Sequence, residues 1–274
     1  MIDRKSLKAI KPILTLYYVY KYFVFQFKFE IERIRDWRDR QNSANMAVPP
    51  TELRYRVHGT LDKDSFLQVG KNLAQNIRDL CTIAGHDIYS FENVLDFGCG
   101  CGRVLLNFQD APTTCQFYGT DIDSKLVGWC EEHLPNIRWK INGLQPPLPF
   151  TNNTFDLIYA ISVFTHLDEE FQHAWLHELQ RIAKPGGIII LTVHGEHRIS
   201  KLEPPAQNQI HSYGFMYIIG ATGWLKLDKL PDFYQTAYHT KEYIYREWSA
   251  YFDVLHYLER GINNDQDAVL LRKR

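Results

Sequence analysis

"NVLDFGCGCGRVLL", residues 93–106, sets Gly98, Gly100 and Gly102 on alternate positions directly after a short apolar run. An apolar run of that length bounded by glycines predicts a buried strand, here Val94 to Phe97, turning into a helix that begins near Gly102 and reaches Phe108. Glycine tolerates positive φ and lets a ligand approach the backbone closely, so the turn is a candidate binding loop. Asp96 stands just before it and puts a negative charge where a pyrophosphate would be repelled. The spacing GxGxG followed by Arg103 also departs from the GxGxxG of nicotinamide-binding turns. An ammonium- or sulfonium-bearing ligand suits this local field better.

The pattern around the turn alternates. Strands are predicted at Phe117 to Thr120, Ile137 to Ile141, Phe155 to Ser162 and Ile188 to Val193. Helices are predicted at Lys125 to His133 and Glu169 to Ala183, the second with Phe171, Trp175, Leu179 and Ile182 on one face. "KPGG" (184–187) stops that helix, and "YFDVLHYLE" with "DAVLLRK" reads as a closing strand pair around a turn-rich "RGINNDQ". The expected fold class is α/β: a doubly wound, mainly parallel seven-stranded sheet with helices on both faces and a C-terminal antiparallel hairpin. Ligands of such sheets sit beyond the carboxyl ends of the strands, where strand order reverses. That places Asp121 where it can accept from ribose hydroxyls, Asn142, Gly143 and Leu144 along an adenine edge, and Ala160, Ile161 and Ser162 at the crevice, with His166 on its rim. Asp121 alone discriminates little, since nicotinamide enzymes share it.

In order and at matching strand ends, these motifs resemble those of the class I S-adenosylmethionine-dependent methyltransferases, a Rossmann-like family. The resemblance covers about Phe91 to Val193 and rests on "VLDFGCGCGR", "GTDID", "PPLPFTNNTFDLIYAISVFTHL" and "LQRIAKPGGIIILTV". It implies S-adenosylmethionine as cofactor and S-adenosylhomocysteine as product. It implies a cofactor seat made by Asp96, Phe97, Gly98, Cys99, Gly100, Gly102 and Arg103, with ribose on Asp121 and adenine beside Ile122 and Asn142 to Leu144. The methionine end is expected near Asp96 and Ala160. Many family members carry Asp where this chain has Asn142, which still offers an acceptor to the adenine amino group.

A sulfonium methyl is already activated, so the protein's main task is to hold the acceptor in line. An alcohol or protonated amine must also lose a proton, which a neutral histidine can take near pH 7. His166 is the first candidate base, against the alternative that it packs at the helix starting near Asp168, and His194 is the second. No metal is expected: Cys99 and Cys101 read as small-residue filling.

The flanks divide by composition. Residues 1–50 form an aromatic-rich helical extension and linker, 51–90 a lid and helix, 91–194 the cofactor-binding core, 195–247 an acceptor-binding insertion, and 248–274 the terminal hairpin. Phe66, Val69, Leu73, Ile77 and Leu80 predict a core-facing helix, whereas the irregular stretch with Arg54, Arg56 and His58 is a candidate substrate loop or a solvated basic strand. The insertion supplies Tyr213, Tyr234 and His239 as candidate acceptor contacts, and its aromatics otherwise form a small core of their own. Residues 13–29 fall short of a spanning helix because Lys21 and Lys28 interrupt them. They are expected to pack on the domain or in a homo-oligomer, or to touch a membrane as a peripheral helix.

A net charge of −1 gives no global pull toward nucleic acid. Basic residues do not interleave with the insertion's aromatics, which leaves a nucleic acid least favoured, and the expected acceptor is a small molecule, glycan or peptide, methylated on oxygen or nitrogen. Two other readings predict different behaviour: a non-catalytic cofactor-binding interaction module, and an NAD-dependent oxidoreductase, against which GxGxG and Asp96 argue. Five cysteines without a CxxC pair, and no cleavable signal pattern, give a reducing, cytoplasmic expectation.

Overall fold

The computed structural model describes residues 4–42, 47–219 and 235–274, with side chains from residue 16 in the first segment and only as far as residue 39. The described residues divide into two units, one within residues 4–63 and the other formed by residues 64–219 and 235–274.

In the larger unit the sheet is built from β1 (Asn93–Phe97), β2 (Gln116–Asp121), β3 (Arg138–Ile141), β4 (Phe155–Ala160), β5 (Ala183–Val193), β8 (Asp253–Ile262) and β9 (Gln266–Arg272). A separate two-stranded sheet pairs β6 (Phe215–Ile218) with β7 (Thr236–His239). The seven strands lie in the order β3-β2-β1-β4-β5-β9-β8, parallel through β5, with β9 antiparallel to both β5 and β8. Strand order reverses between β1 and β4, so the ends of β1, β2 and β4 open onto one crevice.

The central strands are apolar on both sides because both are covered. Leu95, Phe97, Ile158, Ala160, Ile189 and Leu191 join one core cluster with Trp175 and Leu179 of α5 (Glu169–Ile182) and Tyr243 of α8 (Lys241–Glu247). Their alternating neighbours Val94, Leu157, Ile188 and Ile190 are equally buried on the other side. Asp168 caps α5 by accepting from the Phe171 N–H at 2.9 Å, and Asp123 caps α4 (Ser124–His133) by accepting from Lys125 N–H. α3 (Lys63–Ile83) buries Phe66, Leu73, Ile77 and Leu80, and its Arg78 donates to the Asn107 carbonyl.

Three expectations need correction. After the glycine turn the chain makes turns and a short 3-10 segment, Leu105–Phe108, in place of an α-helix from Gly102. The strand of the closing hairpin continues through Arg260 to Ile262, and the turn narrows to residues 263–265, where Asn263 and Asn264 take positive φ. The stretch expected to be irregular is a helix, α2 (Thr51–His58), ended by Gly59 at φ +73°.

The smaller unit contains α1 (Arg4–Asn42) and α2. Phe25 packs on Tyr55 with ring centroids 5.0 Å apart. Asp36, buried, accepts from Arg54 at 2.9 Å and from the Thr51 N–H at 2.8 Å. Among the described residues no helix is long and apolar enough to cross a membrane.

Candidate active site

The turn after β1 folds as it does because its backbone amides are needed elsewhere. Gly98 and Cys99 N–H both donate to the Thr120 carbonyl, at 2.8 and 2.9 Å, and Gly100 N–H donates to Asp121 at 2.8 Å. Gly98, Gly100 and Gly102 all adopt positive φ, and a Cβ on Gly98 would fall 2.3 Å from Val163 Cγ2. Glycine at Gly98 is therefore required twice, by conformation and by the approach of the chain that follows β4.

Asp121 ends β2 half-buried, accepting also from the Asp123 N–H at 2.9 Å. Burial raises its pKa, and these two backbone donors oppose the rise. Asp96 differs from it: the side chain is 2% exposed and its Oδ2 lacks a hydrogen-bond partner. Burial pushes its pKa up to about 8, with Tyr159 opposing the rise and the Asp121 charge adding to it. Asn142 is likewise buried, its Nδ2 donating to the Gly143 carbonyl while Oδ1 has no partner. Ile122 and Leu144 are exposed beside these groups in sequence.

These side chains fit the implied cofactor. An unpartnered buried carboxylate is costly unless a cation or donor reaches it, and an orphaned amide oxygen calls for a donor. An amino-acid ammonium meets the first requirement and an adenine amino group the second. Phe97, Cys99 and Ala160 are buried beneath the turn, and burial raises the Cys99 thiol well above its ordinary value, in keeping with a packing role. Arg103 follows the turn, its backbone carbonyl against Gly70 of α3.

At the end of β4, Ser162 takes φ +60°. Its N–H donates to Thr192 Oγ1 at 2.8 Å, and its hydroxyl lies 2.8 Å from the Gln266 amide nitrogen. His166 and His194 converge, ring centroids 6.4 Å apart, with Tyr238 5.6 Å from His194. His166 Nδ1 lies 2.6 Å from the Gln235 carbonyl, which only accepts, so the neutral ring carries its proton on Nδ1 and its lone pair on Nε2. Burial lowers the pKa of His166 and lowers that of His194 to about 4, with Arg198 and His166 adding to the second shift. Both rings are thus held neutral near pH 7.

The candidate acceptor residues divide by environment. Arg54 is 1% exposed and committed to Asp36 and the Pro49 carbonyl, so it is a packing cation and not a substrate contact. Arg56 and His58 sit on α2, in the smaller unit. His239 is fully buried, its Nε2 2.9 Å from Gln172 Oε1 and its pKa pushed down to about 3, and so it belongs to the interior. Tyr213 ends α7 (Pro204–Tyr213) and is 70% exposed. Tyr234, with Trp224 and Phe233, lies outside the described residues. Gln235, Thr192 and Gln266 enter the site without having been singled out in the sequence. Each arrives through tertiary pairing, and none carries a local signal. Among the described residues no group of three or more His, Cys, Asp or Glu side chains is arranged to hold a metal.

The doubly wound sheet, the terminal antiparallel pair and the acidic strand ends are those expected of a class I S-adenosylmethionine-dependent methyltransferase domain. Residues 94–187 match the family described as "Methyltransferase domain". The chain is similar to an uncharacterized methyltransferase of Schizosaccharomyces pombe, 32% identical over 51% of this chain and 52% of that one. It is also similar to the tRNA (carboxymethyluridine(34)-5-O)-methyltransferase of Arabidopsis thaliana, 32% identical over 36% of this chain and 23% of the other. The chain thus spans about half, or less, of the curated relatives it matches. Among solved structures, an S-adenosylmethionine-dependent methyltransferase of Clostridium acetobutylicum shares the fold, with a TM-score of 0.53 at 13% identity over 74% of this chain and 91% of that one.

Proposed function

We propose that this protein transfers the methyl group of S-adenosylmethionine to an oxygen or nitrogen of a small-molecule, glycan or peptide acceptor. The observation that carries the reading is the buried Asp96 carboxyl, whose Oδ2 lacks a hydrogen-bond partner, beside a positive-φ glycine turn and Asp121, inside a methyltransferase domain. When bound, the cofactor supplies an electrophilic methyl on a cationic sulfur. Asp96 would take its ammonium group, Asp121 its ribose hydroxyls and Asn142 Oδ1 its adenine amino group, over the backbone of Gly98 to Gly102. Gly143, Ile161 and Ser162 complete the proposed wall.

His166, with its lone pair on Nε2, is the proposed base for the acceptor proton, and His194 beside it is the second candidate. Basic residues do not interleave with the aromatics of the insertion, which supports a small molecule, glycan or peptide over a nucleic acid. The relatives' names span a tRNA, an acyl-carrier protein and sterols, so the acceptor class does not follow from kinship.

Calorimetry with S-adenosylhomocysteine, followed by transfer of a labelled methyl group to a panel of hydroxyl and amine acceptors, tests the proposal. Saturable binding with turnover on one acceptor class is the expected result. No binding refutes the cofactor assignment, and binding without turnover on any acceptor favours the non-catalytic reading.

A further inference from the structure

α1 carries two opposed faces. Phe25, Phe29, Glu32 and Asp36, spaced by three and four, are its half-buried to buried side, with Phe25 and Asp36 against α2. Directly opposite run Leu16, Tyr20, Phe23, Phe27, Ile34 and Trp37, each between 58 and 71% exposed. Their spacing, with Glu30 in the gap, is four, three, four, three, four, three. That is an unbroken 3.5-residue repeat over three heptads, with six of seven seam positions apolar. A helix that only covers its own domain follows a 3.6 period and needs no second stripe. A 3.5-residue seam left facing outward is shaped for another helix with the same repeat.

We propose that α1 pairs with α1 of a second copy of this chain, in an antiparallel two-stranded coiled coil along this seam. Four aromatic rings of roughly 150–250 Å² each, about two-thirds exposed, with Leu16 and Ile34, offer on the order of 700 Å², close to the roughly 800 Å² per partner of a standard interface. α1 as a whole is basic, with ten cations against four anions, but its outward stripe is not free of charge: Glu30 sits in the middle of it, where a lipid surface would bury a carboxylate among acyl chains and a second helix can offer it a donor. Arg33 and Arg35 beside the stripe are engaged by Glu30 and Glu32 of their own helix, at 3.0 and 2.5 Å.

The same charges set the direction. A parallel, in-register pair would bury Glu30 against Glu30 and bring Arg33 toward Arg38, both repulsive. An antiparallel pair lays Leu16 on Ile34, Phe23 on Phe27 and Glu30 on Tyr20, whose hydroxyl donates to the carboxylate. At the Ile34 end, a pocket of about 430 Å³ bordered by Trp37 and Pro50 receives the Leu16 end of the second helix.

Light scattering on the full chain tests this. The expected mass is twice the 32.2 kDa of one chain, falling to one chain mass in the Phe23→Glu/Phe27→Glu variant with unchanged circular dichroism, since both positions are exposed. Under mild oxidation Tyr20→Cys/Glu30→Cys forms an intermolecular disulfide and Phe23→Cys does not, while the native chain, whose five cysteines are buried, stays unlinked. A monomeric native chain, or a dimer that survives the double glutamate variant, overturns the proposal. So does a monomer that sediments with phosphatidylserine-containing vesicles, which assigns the seam to a membrane. Linking through Phe23→Cys alone overturns the antiparallel arrangement.

Discussion

Asp96 provides the most direct test of the cofactor seat. Its carboxyl, with a pKa near 8, is ionised in about one molecule in a hundred at pH 6 and about half at pH 8. A ligand whose ammonium group requires the ionised carboxylate must displace that proton. The apparent Kd for S-adenosylhomocysteine should therefore tighten by up to about 50-fold between pH 6 and pH 8, and binding at pH 7 should release about 0.9 proton. S-adenosylhomocysteine is the right probe because, without a sulfonium to withdraw electrons, its amino group keeps its proton across this window. Calorimetry in buffers of different ionisation enthalpy reads both quantities. Asp96→Asn should bind weakly, with little pH dependence and no proton release. An affinity constant within about twofold from pH 6 to pH 8, with no proton released, would refute the role given to Asp96.

The same carboxyl affects stability in the ligand-free protein. The unfolded chain ionises near 3.8 and the folded site near 8, so the folded state holds an extra proton between them and stability falls as pH rises through that window. Asp96→Asn should remove the penalty and raise Tm at pH 8 by several degrees, in thermal unfolding, even as it loses cofactor. At saturating cofactor, His166→Ala should lower kcat by about 10²- to 10⁴-fold with S-adenosylhomocysteine affinity unchanged. Because burial lowers the His166 pKa from 6.5, native kcat should hold level to below pH 6.5. Arg54→Ala leaves Asp36 buried without its cation and should cost about 3–5 kcal/mol, read as lost hydrogen-exchange protection in α1 and α2. Gly98→Ala should abolish cofactor binding. Adding Val163→Ala should restore only part of it, since the clash is relieved and the φ of +78° is not.

Local chemistry made much of the core legible. The glycine turn, the acid before it and the acids and amides at strand ends lie within a few residues of the periodicity that defines each strand, so one reading places them on elements and at the crevice together. What escaped depends on distance along the chain. Gln266 reaches Ser162 only because β9 inserts beside β5, and Gln235 fixes the His166 tautomer from 69 residues away. Arg54 shows the converse error: a cluster of basic residues suggests a substrate loop or a solvated strand, while the partner of Arg54, Asp36, stands on the preceding helix. α2 was itself readable, with Pro50 before its first turn, Glu52 within it and Gly59 after it. Its lack of a 3.6-residue apolar stripe hid it, since α2 is held by a buried ion pair as much as by an apolar face.

The place of β9 between β5 and β8 has a consequence for how the chain is made. β5 emerges from the ribosome with Ile188 to Val193 apolar on both sides and one edge unpaired, and the strand that covers that edge is translated about 80 residues later. At about 5–20 residues per second, that open edge persists for roughly 4–16 s. Over that interval the nascent chain offers a ready template for aberrant pairing, so the cost of a sheet completed by its last strand falls on synthesis and not on the folded protein.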